Sequence, residues 1–130
     1  MIIDTGAERS VLMPVDARRM GLDRRRLQHR SNTLGIGGNA EGHDEFALIV
    51  IGDDDRGVVF GFRVNLFVPA DTEDMREIDG SVLGRDVLDR VRLTYDRRSG
   101  LLAFEVLDSD VAIPIRPGQF LEDAPGGRLP

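Results

Sequence analysis

Apolar residues recur with period two at Phe60, Phe62, Val64, Leu66 and Val68, a spacing that predicts a half-buried β-strand, which Pro69 ends. The continuous apolar run from Phe46 to Ile51 predicts a buried strand ahead of it, and Asp53-Asp54-Asp55-Arg56-Gly57 predicts the charged turn between the two. Ser10 to Met13 is apolar enough for a further strand. Pro14 then suits a first helical turn and Gly21 the residue past its end, which predicts a short helix over 14–20. A polar loop, Asp71 to Asp79, leads to Val82-Leu83-Gly84, after which Val87, Leu88 and Val91 mark one side of a second short helix. Arg92 to Asp96 and Leu101 to Val106 flank Arg97-Arg98-Ser99-Gly100 as a hairpin with glycine in its turn. Beyond Asp108, Pro114, Pro117, Pro125, Pro130 and Gly126-Gly127 predict a short strand and then a loose tail. The pattern is mainly β, with two short helices and no internal repeat.

Three segments carry candidate chemistry. In Ile2-Ile3-Asp4-Thr5-Gly6-Ala7 an apolar strand delivers one carboxylate into a Thr-Gly turn; taken alone, an ordinary turn explains those residue types. Leu34-Gly35-Ile36-Gly37-Gly38-Asn39-Ala40-Glu41-Gly42 predicts a hairpin whose tip needs glycine backbone freedom. Ser81-Val82-Leu83-Gly84-Arg85-Asp86-Val87-Leu88 places an apolar pair and a glycine ahead of a helix.

In this order the three segments resemble the catalytic turn, the flap and the hydrophobic-hydrophobic-Gly element of retropepsin-like aspartic proteases. The likeness runs from Ile2 to about Val106 and is nearest to the cellular and bacterial members typified by the DNA-damage-inducible dimeric proteases. It implies an all-β acid-protease fold, a closed barrel with one lobe per chain, in residues 1–108, with 109–130 as a C-terminal strand and tail. It implies an aspartic endopeptidase without a cofactor, acting on a peptide or protein substrate, with Asp4 as the catalytic carboxylate. The Thr5 hydroxyl would bond across a dimer axis, and Gly6, Ala7 and Glu8 would lie against the substrate backbone. Gly35, Ile36, Gly37 and Gly38 would contact substrate from the flap, with Ile36 at the apolar tip, and Val82 would line the cleft. Arg85 would support the site through an ion pair with Glu8.

Chemistry of this kind uses two carboxylates that share a proton. The chain holds one Asp-Thr-Gly, so the second carboxylate must come from another copy, and a twofold homodimer would pair Asp4 with itself. In the non-viral relatives the hairpin after the last helix builds the dimer sheet, which here is Arg92 to Val106. The family carries about one hairpin's length before its catalytic turn, whereas Met1-Ile2-Ile3 alone precede Asp4 here, so a barrel strand is expected to be missing. The alternative is a catalytically silent module on the same fold, used for dimerisation or for holding a peptide strand.

Composition narrows the rest. At 130 residues the chain suits one domain, and with no cysteine it has neither disulfides nor thiolate chemistry. Its basic residues are all Arg, 17 against 23 acids for a net charge of −6, which argues against a general nucleic-acid binder. Arg18, Arg19, Arg24, Arg25, Arg26 and Arg30 form a basic stretch that Asp16 and Asp23 can balance as a solvated face. No apolar run is long enough to span a bilayer and no signal-peptide pattern follows Met1, so no membrane contact and a cytoplasmic location are expected. Gly35-Ile36-Gly37-Gly38-Asn39-Ala40 fits a dinucleotide fingerprint in letters but does not open a helix after a strand. Asp53 to Gly57 fails the spacing of a calcium loop, and His29 and His43 have neither metal-ligand spacing nor a nucleophile beside them.

Overall fold

In the computed structural model, residues 1–35 and 38–118 are described. Two compact units are present, Met1–Ala47 with Val64–Asp89 and Leu48–Arg63 with Arg90–Pro130.

In the first unit, β1 (Ile2–Ile3) pairs in parallel with β5 (Val82–Leu83). β2 (His29–Gly35) pairs antiparallel with the first half of β3 (Gly38–Asp53), in a register from His29↔Asp44 to Gly35↔Gly38. The second half of β4 (Val58–Pro69) completes this layer. Helix α1 (Pro14–Arg19) starts on Pro14 at its first turn and stops at Gly21, whose φ of +68° favours glycine. It buries Ala17 and leaves Arg18 and Arg19 in water. A 3-10 turn, Arg24–Arg26, follows, capped by the Asp23 side chain. Helices α2 (Glu73–Arg76) and α3 (Arg85–Leu88) are a single turn each.

In the second unit, the remainder of β3 and β4 flank the Asp53 to Gly57 turn. β8 (Val111–Pro114) adds to β4, with Gly61 opposite Val111 and Val58 opposite Pro114. β6 (Val91–Asp96) and β7 (Leu101–Val106) form a separate two-stranded ribbon, closed by a turn in which Gly100 has a φ of +68°.

The period-two segment follows its spacing except at its start: Phe62, Val64, Leu66 and Val68 are buried, and Phe60 is half-buried. Phe62, Phe67, Val68 and Val87 lose essentially all their exposure, and each side chain of that size contributes roughly 1.5–3 kcal/mol on burial. Mainly β structure is therefore observed, with three short α-helices where two were expected. The extra one is α2, inside the supposed loop Asp71 to Asp79; Thr72 caps it by accepting from the Met75 N–H at 3.3 Å.

Three further expectations are corrected. Ser10 to Met13 is not a strand: only Val11 makes isolated bridges, to Phe67 and Val82. Phe46 to Ile51 is strand but not buried throughout, because Phe46 (81% exposed), Leu48 and Val50 share a face that is largely open to solvent. A run that is apolar at every position hides which face is sheltered. Val91 belongs to β6, not to the helix, which ends at Leu88. Among the described residues no helix is long and apolar enough to cross a membrane.

Candidate active site

Asp4 leaves the end of the β1–β5 ladder, where its N–H donates to the Leu83 carbonyl at 3.1 Å. The chain then turns back: the Ala7 N–H donates to the Asp4 carbonyl at 3.2 Å, and the Gly6 N–H donates to Asp4 Oδ1 at 2.8 Å. A Cβ on Gly6 would come 3.1 Å from that same oxygen, so the small residue lets the backbone N–H reach the carboxylate. The remaining oxygen of Asp4 has no partner among the described residues, and the residue is exposed.

The turn is fixed from below by a crossing of two segments far apart in sequence. Val11 exchanges both backbone hydrogen bonds with Val82, each at 2.9 Å, and the Arg85 N–H donates to the Ala7 carbonyl at 2.8 Å. Ser10 is fully buried. Its N–H donates to Asp86 Oδ2 at 2.9 Å and its hydroxyl to Asp86 Oδ1 at 2.7 Å, while the Gly84 N–H donates to Ser10 Oγ at 3.0 Å. A second bolt mirrors the first. Buried Ser81 donates its N–H and hydroxyl to Asp16 Oδ2 at 3.0 and 2.6 Å and accepts from the Met13 N–H at 3.0 Å. The Ser81 hydroxyl bond holds the Asp16 carboxyl below the usual range, partly opposed by burial. Both buried serines thus have partners for their polar groups, as burial demands. At Gly84 the segments come closest: an added Cβ would stand 2.4 Å from the Arg9 carbonyl carbon.

Above this floor lies a cleft of about 610 Å³. Asp4, Gly6, Ala7, Glu8 and Arg9 line it together with Thr33, Leu34 and Gly35 of β2 and with Arg85. The structure therefore brings Asp4, Gly6, Ala7, Glu8, Gly35 and Arg85 to one place. It does not put Thr5, Gly38 or Val82 among the lining residues. Thr5 is exposed in the turn, its hydroxyl unpartnered among the described residues; Gly38, with a φ of +108°, pairs with Gly35; Val82 is in β5, paired with Ile2. Ile36 and Gly37 lie outside the described residues.

The expected Glu8 to Arg85 ion pair is absent among the described residues: no salt bridge includes either side chain, and Arg85 meets this segment through its backbone N–H instead. The ion pair that does form is made by the next residue, Arg9, whose Nη1 lies 2.7 Å from Asp44 Oδ1. The sequence pattern assigns no site role to Arg9, Ser10, Asp44, Ser81 or Asp86 and reads Asp16 only as a counter-charge of the basic stretch. The one local clue was Asp86 in the first turn of a helix, a place where carboxylates accept backbone N–H groups, as it does from Val87 at 3.0 Å. Among the described residues no group of three or more His, Asp or Glu could hold a metal ion.

Comparison with protein-family models and with curated proteins gives no match. Among solved structures, a retropepsin-like aspartic protease from Rickettsia conorii is similar to this chain, with a TM-score of 0.54 at 25% identity over 78% of this chain and 69% of that one. The fold of the chain is retropepsin-like.

Proposed function

We propose that this retropepsin-like chain is an aspartic endopeptidase, in which Asp4 and the Asp4 of a second copy form one catalytic dyad. The observation that carries the reading is the placement of Asp4: an exposed carboxylate in a cleft, on a turn anchored by buried bonds at the end of a strand ladder. One oxygen is oriented by the Gly6 N–H and the other is left open. The turn bond from the Gly6 N–H could be accepted equally well by an Asn side-chain oxygen, so the turn alone does not call for a charged group.

Two such groups a few ångströms apart share one proton, since both cannot ionise comfortably, and the pair titrates as a unit. The ionised partner takes a proton from water as the water oxygen attacks the peptide carbonyl carbon; the protonated partner gives its proton to the carbonyl oxygen. Proton transfer to the amide nitrogen then lets the C–N bond break. In this reading Gly6, Ala7 and Glu8 hold the substrate backbone, and β2, through Gly35, with Ile36, Gly37 and Gly38, covers it and excludes water. Val82 supports the cleft, Thr5 bonds across the twofold axis, and Arg85 offers an unpaired guanidinium to substrate or partner. Tyr95, Leu101 and Leu102, exposed on the β6–β7 ribbon, are the surface assigned to the second copy.

The test is Asp4→Asn. Wild type should cleave members of a diverse peptide library at mildly acid pH, and the variant should lose activity by about a thousandfold or more. Equal cleavage by the two proteins removes Asp4 from the chemistry. Silence from a folded wild-type dimer that still binds extended peptides would instead favour a module that holds peptides without cutting them.

A further inference from the structure

We infer that Arg9 is a positioning residue that ties the β2–β3 hairpin to the segment carrying Asp4, and thereby sets the cleft wall made by Thr33, Leu34 and Gly35; its kinetic consequence rests on the peptidase reading above. Arg9 Nη1 donates to Asp44 Oδ1 at 2.7 Å, and Nη2 donates to Thr33 Oγ1 at 3.3 Å and to Ser31 Oγ at 3.5 Å. Its guanidinium carbon stands 4.8 Å from the centroid of the Phe67 ring. One side chain thus joins the catalytic-turn segment to both strands of the hairpin and to β4.

The register explains why these partners converge. Ser31, Thr33 and Asp44 lie on the same face of the hairpin, because directly opposed residues share a face and Asp44 opposes His29. Gly42 is on that face too, and there β3 lies so near β4 that a Cβ would stand 2.3 Å from the Val68 carbonyl oxygen. β3 is therefore held by its own neighbours. β2 is not: its ladder partner is β3 alone, and among the described residues Ser31 and Thr33 are the side chains of β2 that hydrogen-bond outside the hairpin, both to Arg9. Removing Arg9 leaves the cleft-lining strand held by a single edge. A planar fork with five donors suits such a multiple contact; a lysine point charge can keep the Asp44 pair but cannot make the rest.

The experiment compares Arg9→Met, Arg9→Lys and Thr33→Val with wild type by residue-resolved hydrogen exchange on the full chain, together with KM, kcat and the pH profile of kcat on a cleaved peptide. In Arg9→Met, exchange of the β2 amides should accelerate about tenfold or more while α1 and the β6–β7 ribbon keep their rates, with Arg9→Lys intermediate. KM should rise about fivefold or more with an unchanged pH profile of kcat, since the dyad is untouched. Unchanged β2 exchange, or the same acceleration throughout the chain, overturns the tether. Faster β2 exchange with an unchanged KM overturns its role in the cleft. A wild type that cleaves nothing refutes the peptidase reading alone and leaves hydrogen exchange to decide the tether; if Arg9→Met does not fold, the isosteric Thr33→Val, which removes an Arg9 acceptor on β2 itself, decides it by the same faster or unchanged exchange of the β2 amides.

Discussion

The crossing beneath Asp4 and the β6–β7 ribbon are both made of short, paired segments, yet they are held in opposite ways. In the crossing, Ser10 and Ser81 are buried and each finds a carboxylate more than sixty positions away, Asp86 and Asp16. In the ribbon, every turn partner is a near neighbour: Asp96 accepts from the Arg98 N–H at 2.9 Å and from the Ser99 hydroxyl at 2.8 Å, in full view of solvent. Where water is excluded, an unpaired polar group costs the whole of its lost hydration, so the fold must supply a partner from wherever the chain passes. Where water is present, the turn residues suffice and the long-range bonds are dispensable. The difference ties the crossing together through bonds between distant segments and leaves the ribbon turn to its own neighbours.

Glycine gives the largest test of that contrast. Gly84 has an ordinary φ of −99°, but an added methyl would meet the Arg9 backbone at 2.4 and 2.5 Å. Gly100 has a φ of +68° with nothing within 4 Å of the added atom. Ala at 84 must push two backbones apart and should cost roughly 3 kcal/mol; Ala at 100 meets only the left-handed penalty, about 1 kcal/mol. Urea unfolding of the two variants compares them directly, and equal losses would mean that the crossing is looser than its contacts imply.

The same contrast decides what the sequence could say. Asp4-Thr5-Gly6 after an apolar pair, Val82-Leu83-Gly84, Pro14 at a helix start and Gly100 in a hairpin are local patterns, each requiring a backbone state that neighbouring residues announce. The mainly β fold and the position of Asp4 were legible for that reason. Ser10 with Asp86, Ser81 with Asp16 and Arg9 with Asp44 are long-range pairs between ordinary residue types, and no spacing announces them. The Glu8 to Arg85 pair failed for a related reason: it transferred a side-chain contact from a family, while this chain meets the same need with the backbone of Arg85 and the side chain of Arg9. Phe46 misled because apolar character on both faces of a strand does not say which face is covered.

Serine truncation is the next effect in size. Ser81→Ala strips the Met13 N–H of its acceptor and the Asp16 carboxylate of its hydroxyl donor, leaving the backbone N–H bond in place, and should cost about 2 kcal/mol. Ser99→Ala removes a bond that water replaces and should leave the denaturation midpoint where it was. A matching loss at Ser99 would show that the ribbon too depends on its side-chain bonds, and the contrast would fail at that point.

Acid and salt give the smallest and finest separation, between the bolt at buried Ser81 and the exposed rim beside it. Asp71 accepts from Arg76 Nε at 2.7 Å and from Arg18 Nη2 at 3.0 Å, linking α1 and α2, and these guanidiniums hold its carboxyl down to about 2 from the usual 3.8. Because the folded pKa lies below the unfolded one, this contribution is complete above about pH 4 and is lost as the pH falls towards 2. Asp16 is lowered too, but first by the neutral Ser81 hydroxyl. Salt screens ion pairs in water and leaves a buried neutral donor nearly untouched. Asp71→Asn should therefore flatten the acid limb of the melting curve most at low ionic strength and lose that effect near about 0.5 M salt. Ser81→Ala should lower the whole curve at either ionic strength. If the Asp71 effect persisted undiminished in high salt, that link would have to be counted with the buried bolts of the crossing rather than with its solvated rim.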